Sequence, residues 1–237
     1  MSIKKPVLFL FAVALVSAPL SAVTTLSTGH VDIFEVHYDA TVNPIEFALH
    51  IHDHATESHF EPADVVIQVN ENTLFAPPSG LVPILGAEAY ILPASQEEGM
   101  LYGGVAAEGP LNVFQSNRFT IRMVSAGSEN PGNFVLYRFS GGGSLQVGLQ
   151  SVGGAASHET LTVPINGHEH WNWGFSAPGT YTFEFQALGT RIADLSILET
   201  PSELFTFQVI PEPTSGALLL AGMVAVAVAH RGIRRLV

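Results

Sequence analysis

Thr180-Tyr181-Thr182-Phe183-Glu184-Phe185-Gln186-Ala187 alternates polar and apolar side chains without a break and is the clearest strand signal in this chain of 237 residues. A period of two puts successive side chains on opposite faces of a sheet. Working outward, Leu204-Phe205-Thr206-Phe207-Gln208-Val209 and Phe119-Thr120-Ile121-Arg122-Met123-Val124 repeat the pattern. Val65-Val66-Ile67-Gln68-Val69, Phe134-Val135-Leu136-Tyr137-Arg138-Phe139 and Leu145-Gln146-Val147-Gly148-Leu149 are short apolar runs. Ile45 to His54 places Ile45, Phe47, Leu49 and Ile51 on one face, and Val31-Asp32-Ile33-Phe34-Glu35-Val36-His37-Tyr38 alternates imperfectly. Pro77-Pro78, Gly103-Gly104, Pro131-Gly132, Gly141-Gly142-Gly143, Gly153-Gly154 and Pro178-Gly179 punctuate the gaps as turn signals. No stretch between residues 23 and 210 carries a long 3.6-period stripe. The pattern predicts an all-β domain, a single antiparallel β-sandwich of Ig-like or jelly-roll-like type over 23–210. Residues 70–118 read as long loops with one short helix near Ala87.

The two ends differ from this domain. Lys4 and Lys5 precede an apolar run from Val7 to Val16, followed by Ser17-Ala18-Pro19-Leu20-Ser21-Ala22. A basic start, a short apolar segment and a small-residue site predict a signal peptide over 1–22, cut by signal peptidase after Ala22. At the other end, Pro211-Glu212-Pro213 is followed by an uncharged stretch from Thr214 to Ala229 and by His230-Arg231-Gly232-Ile233-Arg234-Arg235. A helix of that length covers about 24 Å against a hydrocarbon core of ~30 Å. It predicts a short transmembrane segment, 214–230, with its arginines on the cytoplasmic side.

Between these ends the chain is strongly acidic. All 21 acidic residues fall in 23–213, against four arginines and no lysine, a formal charge of −17. That balance argues against nucleic acid, which needs a basic footprint, and against anionic lipid surfaces. There is no cysteine, so disulfides and thiolate metal sites are excluded.

Two histidine clusters stand out: Leu49-His50-Ile51-His52-Asp53-His54 and His168-Glu169-His170-Trp171-Asn172-Trp173. On a strand, His50, His52 and His54 share the face opposite Phe47, Leu49 and Ile51, about 6.6 Å apart at the backbone. His168 and His170 have the same spacing. Two such pairs on neighbouring strands supply the nitrogen ligands of a zinc- or copper-class site. The candidate ligands are His50, His52, His168 and His170, with His54 and His30 in reserve. His37 is a further candidate, and His59 and His158 are weaker ones. Asn172, Glu169 or Asp53 are candidates to orient a ring, and the tryptophans to wall the site. A solvated histidine face with incidental tryptophans is the competing reading. No G-x-S-x-G elbow, phosphate loop or distinct carboxylate pair is present.

Several stretches carry a family resemblance. Residues 211–237 resemble the PEP-CTERM sorting signal of exported Gram-negative proteins, which implies processing by an exosortase-type membrane enzyme and delivery to the outer surface or extracellular matrix. Thr28-Gly29-His30-Val31-Asp32-Ile33, Leu49–His54, Tyr90-Ile91-Leu92-Pro93-Ala94-Ser95-Gln96 and His168–Ser176 with Pro178-Gly179-Thr180-Tyr181 resemble the choice-of-anchor M surface domain, itself similar to an actinobacterial wall-anchored repeat. The resemblance implies a surface receptor or binding module, with no catalytic residue to carry over. The expectation is a surface-anchored binding protein that coordinates a divalent transition metal, rather than an enzyme. A glycan-binding matrix module and a metal-dependent extracellular enzyme are the alternatives.

Overall fold

The computed structural model describes residues 23–152 and 159–211. The predicted signal peptide, the sorting segment after Pro211, Gly153-Gly154 and His158 lie outside the described residues. Among the described residues no helix is long and apolar enough to cross a membrane.

The strands, in chain order, are β1 (Thr24–Leu26), β2 (Gly29–Asp39), β3 (Glu46–Asp53), β4 (Ser58–Phe60), β5 (Val65–Val69), β6 (Leu74–Phe75), β7 (Ala89–Leu92), β8 (Leu101–Glu108), β9 (Arg118–Ala126), β10 (Phe134–Phe139), β11 (Leu145–Gln150), β12 (Thr160–Pro164), β13 (His168–His170), β14 (Asn172–Phe175), β15 (Gly179–Thr190), β16 (Ile197–Glu199) and β17 (Glu203–Val209). Among the described residues one short α-helix, α1 (Val82–Leu85), lies just before Ala87, beside four single-turn 3-10 helices. The all-β expectation holds.

The strands form three sheets. The first runs β1-β5-β17-β15-β9-β12 with β16 beside β15, the second β11-β10-β14-β7-β6, and the third β13-β8-β2-β3-β4. Alternation in Thr180–Ala187 becomes register: Tyr181, Phe183 and Phe185 are buried and pair with Phe207, Phe205 and Glu203 of β17. Phe34 on β2 is where the three sheets meet. Its ring lies 4.7 Å from Phe185 and 5.2 Å from Phe205 of the first sheet, and 5.0 Å from Trp173 of the second.

Four expectations need correction. The sheets are mixed, not purely antiparallel: β1 with β5, β5 with β17, and β2 with β8 pair in parallel. Parallel neighbours require crossovers, and the chain makes them by visiting other sheets between paired strands. Residues 70–118 are not simply long loops. They contain β6, β7 and β8, and β8 is the central neighbour of β2. Gly103-Gly104, read as a turn, sits inside β8. Ile45 also falls outside the predicted core face: it precedes β3 and is exposed.

Replacing Phe34 by alanine removes a fully buried ring from the junction of three sheets. The expected loss is about 3–5 kcal/mol, read in a thermal melt as a fall in Tm on the order of 10 °C. An unchanged melting point would show that the sheets do not depend on this contact.

Candidate metal centre

The site lies on the face of the third sheet that points away from Phe34, and its chemistry begins with an irregularity in β2. Against β3, Asp32 pairs with His52, but the next pair after the shift is Glu35 with His50. Against β8, Asp32 pairs with Gly104 and Phe34 with Val105. One extra residue is thus inserted at Ile33-Phe34, a β-bulge. A regular strand would send residues three apart to opposite faces. The bulge restores them to one face, so His30, Asp32, Glu35 and His37 all point out while Val31, Phe34 and Val36 point in.

Asp32 and Glu35 are only 2 % and 3 % exposed. Among the described residues, every ion pair they make is with a histidine. The effective cost of burying one unpaired ionised carboxylate is several kcal/mol, so their surroundings must supply positive charge or strong donors.

Around Asp32 three imidazoles converge. Oδ1 lies 2.7 Å from His168 Nε2 and 3.3 Å from His30 Nε2, and Oδ2 lies 2.9 Å from His54 Nε2. The Nε2 atoms of His30 and His168 are themselves 3.1 Å apart. His54 follows the end of β3, and its backbone N–H donates to the His30 carbonyl at 3.2 Å, which brings the two residues side by side. Their rings stack at 3.9 Å with an interplanar angle of 1°. His30, Asp32, His54 and His168 each present one donor atom to a common centre, all within 4.8 Å of one another. Tetrahedral zinc with nitrogen bonds of about 2 Å has ligand–ligand edges of about 3.3 Å, close to the separations found here.

Two of the imidazoles here, His30 and His170, resist protonation. Burial lowers the His30 pKa from 6.5 to about 4; Asp32 opposes the shift, and the neighbouring His54, His170 and His168 reinforce it. Burial likewise lowers that of His170, with His168 adding to the effect. His30 is therefore held as a neutral nitrogen donor beside the carboxylate.

Two glycines of β8 make the arrangement possible. A Cβ on Gly104 would run into the Asp32 carboxylate and lie 2.9 Å from His168 Nε2. A Cβ on Gly103, on the opposite face, would lie 2.5 Å from Trp173 Nε1 and 2.7 Å from Ile33 Cδ1. Trp173 donates from Nε1 to the Gly103 carbonyl at 3.3 Å, supporting the floor of the site from the core side.

A second group centres on Glu35. Its Oε2 accepts from His59 Nδ1 at 2.7 Å, and its Oε1 is 3.5 Å from His52 Nδ1. His50 Nε2 is 3.7 Å from Glu61 Oε1. The His52 ring lies 4.2 Å from His54 on one side and 4.2 Å from His59 on the other, linking the two groups.

The expected ligand set is therefore redistributed. His168 is brought together with the reserves His30 and His54, not with His50 and His52. The two H-x-H stretches are not on neighbouring strands, because β8 and β2 lie between β13 and β3. His170 packs its ring 4.7 Å from His168 and 4.9 Å from His30 without joining the four-residue cluster. His37 faces Glu108 at 3.5 Å, near the other end of β2. The suggested ring-orienting residues have other work. Asn172 bonds the backbone of Ala94 and Tyr137, Glu169 pairs with Arg138 at 2.8 Å, and Asp53 accepts from Ala55 and Thr56. Trp171 and Trp173 are buried, so neither presents an open ring face. The carboxylates Asp32 and Glu35 were missed as site residues; the signal was the broken alternation of Val31–Tyr38, with two acids inside an apolar strand.

The chain matches no known family model and no curated protein.

Gly104→Ala must displace Asp32 or His168. The expected penalty is about 1–3 kcal/mol from overpacking, read as a lower denaturant midpoint. Gly142→Ala, where an added methyl meets nothing within 4 Å, should stay within about 0.5 kcal/mol of the parent. Equal behaviour of the two variants would contradict the crowding at Gly104.

Proposed function

We propose that this chain is an exported, surface-anchored binding protein whose ectodomain holds a divalent transition metal, zinc or copper, through His30, Asp32, His54 and His168. The observation that carries the reading is the Asp32 carboxylate, buried beneath three convergent imidazole Nε2 atoms. Three nitrogens and one oxygen without thiolate match the preference of zinc and copper, and fall outside the all-oxygen shells of calcium and magnesium. His168 and His54 keep the cluster open to incoming ions, while Asp32 holds its base.

The rest of the reading rests on sequence. The basic-apolar-small N-terminus supports export through signal peptidase. The proline-span-arginine C-terminus supports PEP-CTERM-type sorting by an exosortase-type enzyme to the cell surface or matrix of a Gram-negative bacterium. The quoted stretches support a choice-of-anchor M ectodomain, in which the three sheets stack as one sandwich-like unit about Phe34. The glycan-binding alternative loses its support, since both tryptophans are buried.

Purified full-length chain, loaded with zinc or copper and desalted, should retain stoichiometric metal by elemental analysis. Asp32→Asn and His168→Ala should each weaken the tightest step in calorimetry by at least about tenfold, since even outer partners of metal ligands are worth 10–100-fold. Metal and protons compete for the same nitrogens, so affinity should fall as the solution is acidified, and protons should displace the metal from His30 only as pH nears its lowered pKa of about 4. A desalted protein free of metal, or binding unaltered by Asp32→Asn, sinks the reading.

A further inference from the structure

The second group on the same face has a donor set of its own. Glu35, His50 and His59 each offer one ligand atom, all within 4.8 Å of one another, and no residue is common to this cluster and the first. The three come from three adjacent strands, β2, β3 and β4, brought into line by the same bulge that turns Glu35 outward. Glu35 is 3 % exposed, and its ion-pair partners are His59 and His52. His52 turns Nδ1 toward this carboxylate, and its Nε2 is buried without a hydrogen-bond partner, 3.8 Å from Glu57 Oε2. Glu61 stands 3.7 Å from His50 and Glu57 3.8 Å from His52, so two exposed carboxylates border the group.

We propose that Glu35, His50 and His59 form a second, open binding site for a divalent transition metal, separate from the site around Asp32. The inference rests on the metal-binding reading above and extends it to a second ion. Two imidazoles and one carboxylate are the protein ligands of open zinc sites, in which water or another group completes the shell. The first cluster supplies four ligands and the second three, so the two sites differ in strength and in access. The first offers a full set of four protein ligands, with His168 at its exposed side. The second leaves at least one position to solvent, at the edge where the His59 ring is 54 % exposed. His52 lies between the groups and serves as packing for both, with its ring on His54 and on His59.

The experiment is zinc titration of the full-length chain by calorimetry, together with elemental analysis after equilibrium dialysis against free zinc. Two equivalents are expected, the second weaker by tenfold or more. His59→Ala, at an exposed ring, should remove the weaker step and leave the tighter one within twofold; Glu35→Gln should do the same if the variant melts cooperatively. His168→Ala should remove the tighter step and leave the weaker. One equivalent in the parent chain, or two that survive both His59→Ala and Glu35→Gln, overturns the second site while the first stands. No bound zinc in the parent chain overturns the underlying metal-binding reading and the second site with it.

Discussion

One inserted residue in β2 joins the core of this protein to its polar site. Without the bulge at Ile33-Phe34, Asp32 and Glu35 would lie on opposite faces, and one of the two carboxylates would enter the aromatic core. With it, Phe34 turns inward to meet Phe185, Phe205 and Trp173, and both carboxylates turn out beneath the histidines. The packing of Phe34 holds the bulge in place. The bulge in turn sets which histidines each carboxylate meets.

The segment from His168 to Phe175 shows the same coupling. His168-Glu169-His170 pairs with β8 in the third sheet, and Asn172-Trp173-Gly174-Phe175 pairs with β7 and β10 in the second. The chain changes sheet at Trp171, whose ring is covered by the Arg138 guanidinium at 4.2 Å while Arg138 also binds Glu169. Every second residue thus serves a different purpose: histidines outward, tryptophans inward, and the glycine pair of β8 thin enough to let both approach the backbone from opposite sides.

Much of this was legible in the residues and some of it was not. Alternation in β15, β17, β9 and β3 announced strands and core faces, because half-buried strands must alternate. The outward row of His50, His52 and His54 followed from the same rule. Partner choice did not follow, since periodicity places a side chain on a face but says nothing of which strand lies beside it. Parallel pairing of β2 with β8 depends on contacts far apart in sequence, so His30 and His168 meet across a strand that had been read as loop. Gly103-Gly104 misled for a physical reason. Glycine marks turns through backbone freedom, but here it serves close approach, and the residues that demand it, Asp32, His168, Trp173 and Ile33, lie elsewhere in the chain.

Two ions on this face, as proposed, must tolerate each other's charge. Because of the bulge, Asp32 and Glu35 sit opposite His52 and His50, two residues apart on β3, which is roughly 6.6 Å at ~3.3 Å per residue. A divalent ion beside each buried carboxylate leaves about one net positive charge per site. Two such charges at that distance repel by roughly 0.6 kcal/mol in water and about 2.5 kcal/mol at an effective dielectric of 20. That is small beside the apparent 10–16 kcal/mol of a well-formed four-ligand zinc site, and the domain's formal charge of −17 offsets it further. In the proposed two-ion arrangement, repulsion of this size would leave the second step weaker than the first without preventing it. The row of imidazoles is thus better described as two donor groups, each built on its own buried carboxylate, than as one diffuse histidine surface.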